Sequence, residues 1–299
     1  MRIGVGVDGS TIDKAVDGVR QARDDGFASA WFSNIFAADG IMLCALAGRE
    51  VDGIELGTAV VPTYPRHPHA MAQQAVTAHA ATNGRFVLGI GLSHQIVIES
   101  MFGLSFDKPA VHMREYLAVL LPLLREGAVS HEGERYRVQA TLDPVGSPAG
   151  GPPVMLAGLG PVMLKLTGSL TDGTITWMTG PKTIASHIRP SLEEAATEAH
   201  RPAPRIVCGL PICVTDDPAK AKETASSLFQ VYGQLPSYRA MLDREGAAGP
   251  ADVAIVGPED QVLDGIDQLR EAGVTDFNAA IYGDPDEAER TRALLKTLV

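Results

Sequence analysis

The chain has 299 residues, 45% of them hydrophobic and 20% charged, with a formal net charge of −11. That composition is globular and long enough for one large domain, 1–299, and its acidity, with no long Lys/Arg cluster, argues against a nucleic-acid partner. No apolar run reaches the roughly 20 residues that cross a bilayer.

The N-terminus shows no secretory h-region, and Cys44, Cys208 and Cys213 lack metal-ligand spacing, so they read as small buried hydrophobes in a reducing compartment. The expectation is a cytoplasmic protein with neither a membrane nor a nucleic-acid partner.

Taken in chain order, short apolar runs alternate with segments of helical period. "RIGVGV" (2–7) predicts a strand, and 13–26 a helix with Ala15, Val16, Val19 and Ala22 on one face. "ASAWFS" (28–33) is strand-like, 40–51 helical, and "LGTAVV" strand-like again. A helix over 68–84 and a strand over 85–92 follow. Further strands fall near 154, 174, 207 and 277, each followed by a helical segment.

Eight strands alternating with helices imply a parallel sheet sheathed in helices, and over this length a closed (β/α)8 TIM barrel. An open doubly wound sheet should carry a Gly-rich fingerprint after its first strand, and "DGSTID" there has none. Residues 93–152, after the fourth strand, exceed an ordinary crossover. They predict an insertion: a helix over 112–127, kinked or broken at Pro122, then an outlying hairpin.

In such a barrel the ligand site lies at the carboxyl ends of the strands. Strand one ends at Asp8, strand two at Asn34, and strand three in a knot of Pro62, Tyr64, Pro65, Arg66, His67, Pro68 and His69. Strand four ends in Gly91, Ser93, His94 and Gln95, strand six in Trp177 and Met178, strand eight at Tyr282. After strand five, "AGLGP" offers Gly158 and Gly160 with Pro161 at a first helical position, a turn whose backbone N–H groups suit a phosphate. "TGPKTI" (179–184) repeats the pattern, which predicts two helix N-termini side by side. A tight βα turn explains each of these stretches equally well on its own.

His67 and His69 form an H-x-H pair, but no further ligand converges on them, so no metal site is assigned. His94 is the candidate for proton transfer, against the plainer role of a loop histidine bonded to a carbonyl. Trp177 is placed to wall a ligand or simply to fill the core.

"GFASAWFSN" (26–34), "LGTAVVPTYPRHP" (56–68), "NGRFVLGIGLSHQ" (83–95), "HMREYLAVL" (112–120) and "VMLAGLGPVMLKLTGSLTDGTITWMTGP" (154–181) together resemble the luciferase-like superfamily. The resemblance is closest to its coenzyme F420-dependent oxidoreductases of actinobacterial type. It implies a barrel with an insertion after strand four and a deazaflavin lying across the strand ends, and hydride transfer between its C5 and a small organic substrate. An FMN-dependent monooxygenase is the alternative.

The resemblance further implies a cis peptide at Ala59-Val60 behind the ring and a phosphate held by Gly158, Leu159 and Gly160. Thr63, Tyr64, Arg66 and His67 would then face the ring or its anionic tail. Many relatives carry Asp-His where this chain has Asn34-Ile35, which leaves Asn34 to bond the ring and His94 to handle the proton. Apolar faces on the first three helices are compatible with a homodimer as well as with barrel packing.

Overall fold

A computed structural model describes residues 1–299 apart from 37, 144, 147 and 149. In chain order the first half comprises β1 (Arg2–Gly6), α1 (Ile12–Asp24), β2 (Ser29–Phe32), α2 (Gly40–Glu50), β3 (Glu55–Thr58), β4 (Val61–Pro62), α3 (Pro68–Ala81) and β5 (Phe86–Gly91). The insertion contains α4 (Pro109–Glu126) and the hairpin β6 (Ala128–Glu132) and β7 (Arg137–Thr141). Then come β8 (Val154–Ala157), α5 (Pro161–Leu170), β9 (Gly173–Trp177), α6 (Pro181–Thr183), α7 (Arg189–Glu198) and β10 (Arg205–Val214). The chain closes with α8 (Pro218–Phe229), α9 (Pro236–Glu245), β11 (Ile255–Gly257), α10 (Glu259–Ala272), β12 (Asp276–Ile281) and α11 (Pro285–Lys296).

Eight of these strands pair in parallel in the order β1, β2, β3, β5, β8, β9, β10, β12, and β12 pairs back to β1. The expected (β/α)8 TIM barrel is what forms. Helices lay their apolar stripes on its outside; α1 buries the expected Ala15, Val16, Val19 and Ala22. Among the described residues no helix is long and apolar enough to cross a membrane.

Inside the barrel, Trp31, Val87, Met155, Ile175 and Val207 form a separate apolar cluster. Gly57 leaves room for the indole, since a Cβ there would stand 2.2 Å from the Trp31 ring. Burying each such side chain contributes about 1.5–3 kcal/mol. Below that cluster charges close the floor. Arg205 Nη2 lies 2.8 Å from Glu55 and 2.7 Å from Asp276, and Arg2 reaches the same two carboxylates at 3.1 and 3.2 Å.

Three local features depart from expectation. The helix α4 runs unbroken through Pro122. The ring removes one backbone donor, but Leu120, Leu121, Leu123 and Leu124 around it are all buried, and their packing holds the turn together. The third barrel strand comes in two pieces, with Pro62 inside the second, where β4 pairs with β5 through Val61–Ile90 and Pro62–Gly91. A short parallel strand, β11, extends the end of β10 outside the ring of eight.

Candidate active site

The carboxyl ends of the strands gather most of the expected residues onto one rim. Their centre is a ridge between β3 and β4. There the Ala59-Val60 peptide is cis, and both side chains rest on the apolar cluster inside the barrel. Two glycines of β5 make the ridge possible. A Cβ on Gly89 would stand 1.8 Å from the Thr58 carbonyl oxygen, and one on Gly91 would stand 2.9 Å from Val60 Cγ2. Thr58 completes the joint: its Oγ1 donates to the Gly89 carbonyl at 2.8 Å and accepts from the Gly89 N–H at 2.9 Å.

Asn34 stands beside this ridge. Its Oδ1 accepts from the Gly40 N–H at 2.9 Å, at the start of α2, which leaves the amide N–H2 as the group it can offer a ligand. Asp39 caps the same helix, its Oδ1 accepting from Ile41 and Met42 at 2.9 and 3.0 Å. Arg66, which was expected to face the ligand, pairs with the other carboxylate oxygen of Asp39. The proline-rich knot therefore anchors to α2.

Thr63 and Tyr64 also turn to internal partners. Thr63 is fully buried, and its Oγ1 lies 2.9 Å from His112 Nε2. The Tyr64 ring stacks on His112 with centroids 3.9 Å apart, and burial pushes its phenol up to about 12. His67 is the N-cap of α3, its Nδ1 accepting from the His69 N–H at 3.2 Å, and His69 is half-buried in the first turn. Among the described residues no group of three or more His, Cys, Asp or Glu is arranged to hold a metal.

The turn after β8 leads into α5, whose N-cap is Gly160 with no side-chain cap. A Cβ at Gly160 would meet nothing within 4 Å, whereas one at Gly158 would press on Met163 Cβ at 2.9 Å. Gly158 is thus packed and Gly160 opens outward, beside unclaimed N–H groups at a helix N-terminus. His187 Nε2 holds the Leu159 carbonyl at 2.8 Å and fixes the turn.

The second expected cradle is different. Glu245 on α9 accepts from the N–H groups of Lys182 and Thr183 at 3.1 and 2.7 Å, so the helix after β9 already has its anion. The pair of open helix termini read from the sequence is corrected to one.

On the far side of the rim, Ser93 takes a left-handed conformation (φ 62°) and His94 follows it. The His94 ring lies 5.3 Å from Tyr238, and burial lowers its pKa, which favours the neutral imidazole. Rings continue along this side from Tyr238 to Tyr232 at 5.4 Å and from Tyr232 to Trp177 at 5.8 Å. The Trp177 Nε1 and Asn278 Oδ1 atoms are buried with no hydrogen-bond partner among the described residues. Tyr282 belongs elsewhere, its hydroxyl donating to the Ala221 carbonyl at 3.1 Å, and Asp8 is engaged by Ser10 and Lys14.

The chemistry open to this rim is specific: an apolar ridge for a flat ring, one backbone anion site, an amide donor and a neutral imidazole. Sequence reasoning missed Thr58, His112, Tyr238 and Glu245. Thr58 and His112 stood in quoted motifs without a role, and the other two had no local signal.

Residues 2–276 match the luciferase-like monooxygenase family. The chain belongs to that family. Among luciferase-like relatives, a Mycobacterium tuberculosis protein named "Putative coenzyme F420-dependent oxidoreductase Rv3520c" is 28% identical, over 90% of this chain and 80% of its own. The 5,10-methylenetetrahydromethanopterin reductase of Methanopyrus kandleri is 27% identical, over 92% of this chain and 90% of its own. Among solved luciferase-like structures, an F420-dependent secondary alcohol dehydrogenase in complex with an F420-acetone adduct superposes with a TM-score of 0.83 at 20% identity, covering 100% of this chain and 98% of its own.

Proposed function

We propose that the chain is a coenzyme F420-dependent oxidoreductase that moves a hydride between the deazaflavin and a small organic substrate. The observation that carries this reading is the pairing of the Ala59-Val60 ridge with the uncapped α5 terminus at Gly160 on one barrel rim. The name of its M. tuberculosis relative supports the coenzyme, and that of the M. kandleri relative, a reductase, supports the redox chemistry. One domain, working in the cytoplasm, carries the whole site.

The residues fit the group. Ala59 and Val60 support one face of the ring, and Gly91 beneath Val60 lets the ridge sit low. The amide N–H2 of Asn34 would donate to the edge of the ring. The N–H groups beyond Gly158, Leu159 and Gly160 hold the phosphate. Trp177 and its neighbouring rings exclude water on the far side, and Ser93 turns the chain so that His94 reaches the substrate. When bound, the deazaflavin supplies a carbon centre that accepts or gives a hydride.

The work of the protein is positioning and proton handling. When the substrate is oxidised, a ring nitrogen of His94 would take its hydroxyl proton. In the reverse direction the imidazolium returns it. A neutral imidazole is the form that accepts, and burial of His94 keeps it in that form.

Purified protein titrated separately with F420 and with FMN, followed by fluorescence quenching, tests the reading. Saturable F420 binding is expected. Tight FMN binding with no response to F420 would transfer the chain to the oxygen-using monooxygenases of the family.

A further inference from the structure

Among the contacts of the insertion after β5 with the end of the ridge, one is an imidazole that also makes a hydrogen bond. His112, in the first turn of α4, is 3% exposed. Its Nε2 lies 2.9 Å from Thr63 Oγ1, and its Nδ1 is 3.5 Å from the Tyr136 hydroxyl. Its ring lies flat against Tyr64, with only 6° between the planes.

Thr63 is where the ridge ends. Its N–H donates to the Gly91 carbonyl at 2.9 Å, just beyond the two-residue strand β4. That strand has few bonds of its own, because Pro62 has no N–H to give. A side-chain anchor therefore carries more weight here than on a longer strand. Thr58 secures the other end through Gly89, so the ridge is tied down on both sides of Ala59 and Val60.

The anchor is itself braced. Glu115 on α4 accepts from the N–H groups of Glu134, Arg135 and Tyr136 at 3.0, 2.8 and 3.0 Å, which fixes the turn between β6 and β7. Contacts then run from that turn through Tyr136 to His112 and on to Thr63. Burial, with the Arg135 charge adding to it, holds His112 down at about 4. A neutral imidazole has one N–H and one lone pair, so it can donate to one hydroxyl and accept from the other.

We propose that His112 is a positioning residue for the cofactor: through Thr63 it sets the height and tilt of the ridge on which the deazaflavin rests. This rests on the functional reading above. The α4 and β6–β7 part of the insertion then serves the site from behind, through His112.

Thr63→Val, His112→Phe and the double variant, each titrated with F420 by fluorescence quenching beside thermal unfolding, test it. Val keeps the shape of Thr63 without the hydroxyl, and Phe keeps the stack on Tyr64 without the nitrogen. Each single variant is expected to bind F420 about tenfold more weakly (~1.4 kcal/mol). The double variant should be no weaker than the weaker single, because both remove one bond. His112→Gln, which sets an amide where Nε2 stood, should recover affinity to within about threefold of wild type.

Unchanged affinity in His112→Phe, losses that multiply in the double variant, or a His112→Gln variant as weak as His112→Phe would each overturn the proposal. Should His112→Phe fail to fold, Thr63→Val against Thr63→Ser decides alone: a weakened Val variant with a wild-type-like Ser variant upholds it, and equal affinities sink it. Failure of the wild-type chain to bind F420 would sink the functional reading, whereas wild-type binding with insensitive variants sinks only this inference.

Discussion

Glu245 caps the helix after β9 from more than sixty residues away, its two carboxylate oxygens accepting from Lys182 and Thr183. The carboxylate sits where a phosphate would otherwise be drawn, and this divides two look-alike glycine turns into one structural and one open. Removing it as Glu245→Ala should lower stability by about 1 kcal/mol, in the range of a lost N-cap. F420 affinity should stay at the wild-type value. Thermal unfolding with a parallel fluorescence titration separates the two effects, and a large loss of F420 binding would return the second turn to the site.

The glycines before α5 make opposite predictions. At Gly160 an added Cβ meets no protein atom, so Gly160→Ala should fold normally and bind F420 more weakly, because the methyl enters the cradle. At Gly158 the same change presses on Met163, and overpacking of that kind costs about 1–3 kcal/mol. Melting temperature against F420 dissociation constant, measured for both variants, checks the pair.

His94 should matter for turnover alone. His94→Asn removes the imidazole at the rim while leaving the ridge and the α5 terminus intact. Loss of a positioned acid–base group is expected to lower kcat by about 10²–10⁴, with F420 affinity close to wild type. An acceptor screen with reduced F420 supplies the substrate for that assay, and an unaltered kcat would move the proton role to another residue.

Acid should destabilise the fold before most carboxylates titrate. Burial lowers His79 and His94 from 6.5, and it takes His112 down to about 4. In each case the unfolded chain binds the proton first as pH falls. The stabilising contribution is therefore complete above about pH 6.5 and is lost progressively towards pH 4. Melting temperatures recorded from pH 8 to 4.5 should fall across that window, and a flat profile there would contradict the burial of these rings.

Much of the barrel was legible because a parallel strand buried on both faces reads as an unbroken apolar run. The runs near 3, 29, 56, 87, 154, 174, 207 and 277 all became barrel strands. The strand β11, three residues long, carries too little pattern to stand out. Pro122 misled because the rule for a helix interior takes no account of the leucines packed on either side. The cis peptide was legible through likeness to relatives, and the α5 turn already through its own glycines and Pro161.

What stayed hidden were partnerships across sequence. Glu245 with Thr183, Thr63 with His112 and Arg66 with Asp39 join residues from different helices and turns, and no local spacing encodes them. Each withdraws an apparently available group from the ligand. The fold thus gives groups expected at the ligand partners within the protein.

The charged floor of Arg2, Glu55, Arg205 and Asp276 has a bearing on traffic. Among the described residues that end is sealed by interlocked side chains, which leaves the opposite rim as the face open to a ligand. A molecule that reaches the strand ends must therefore leave by the face at which it came.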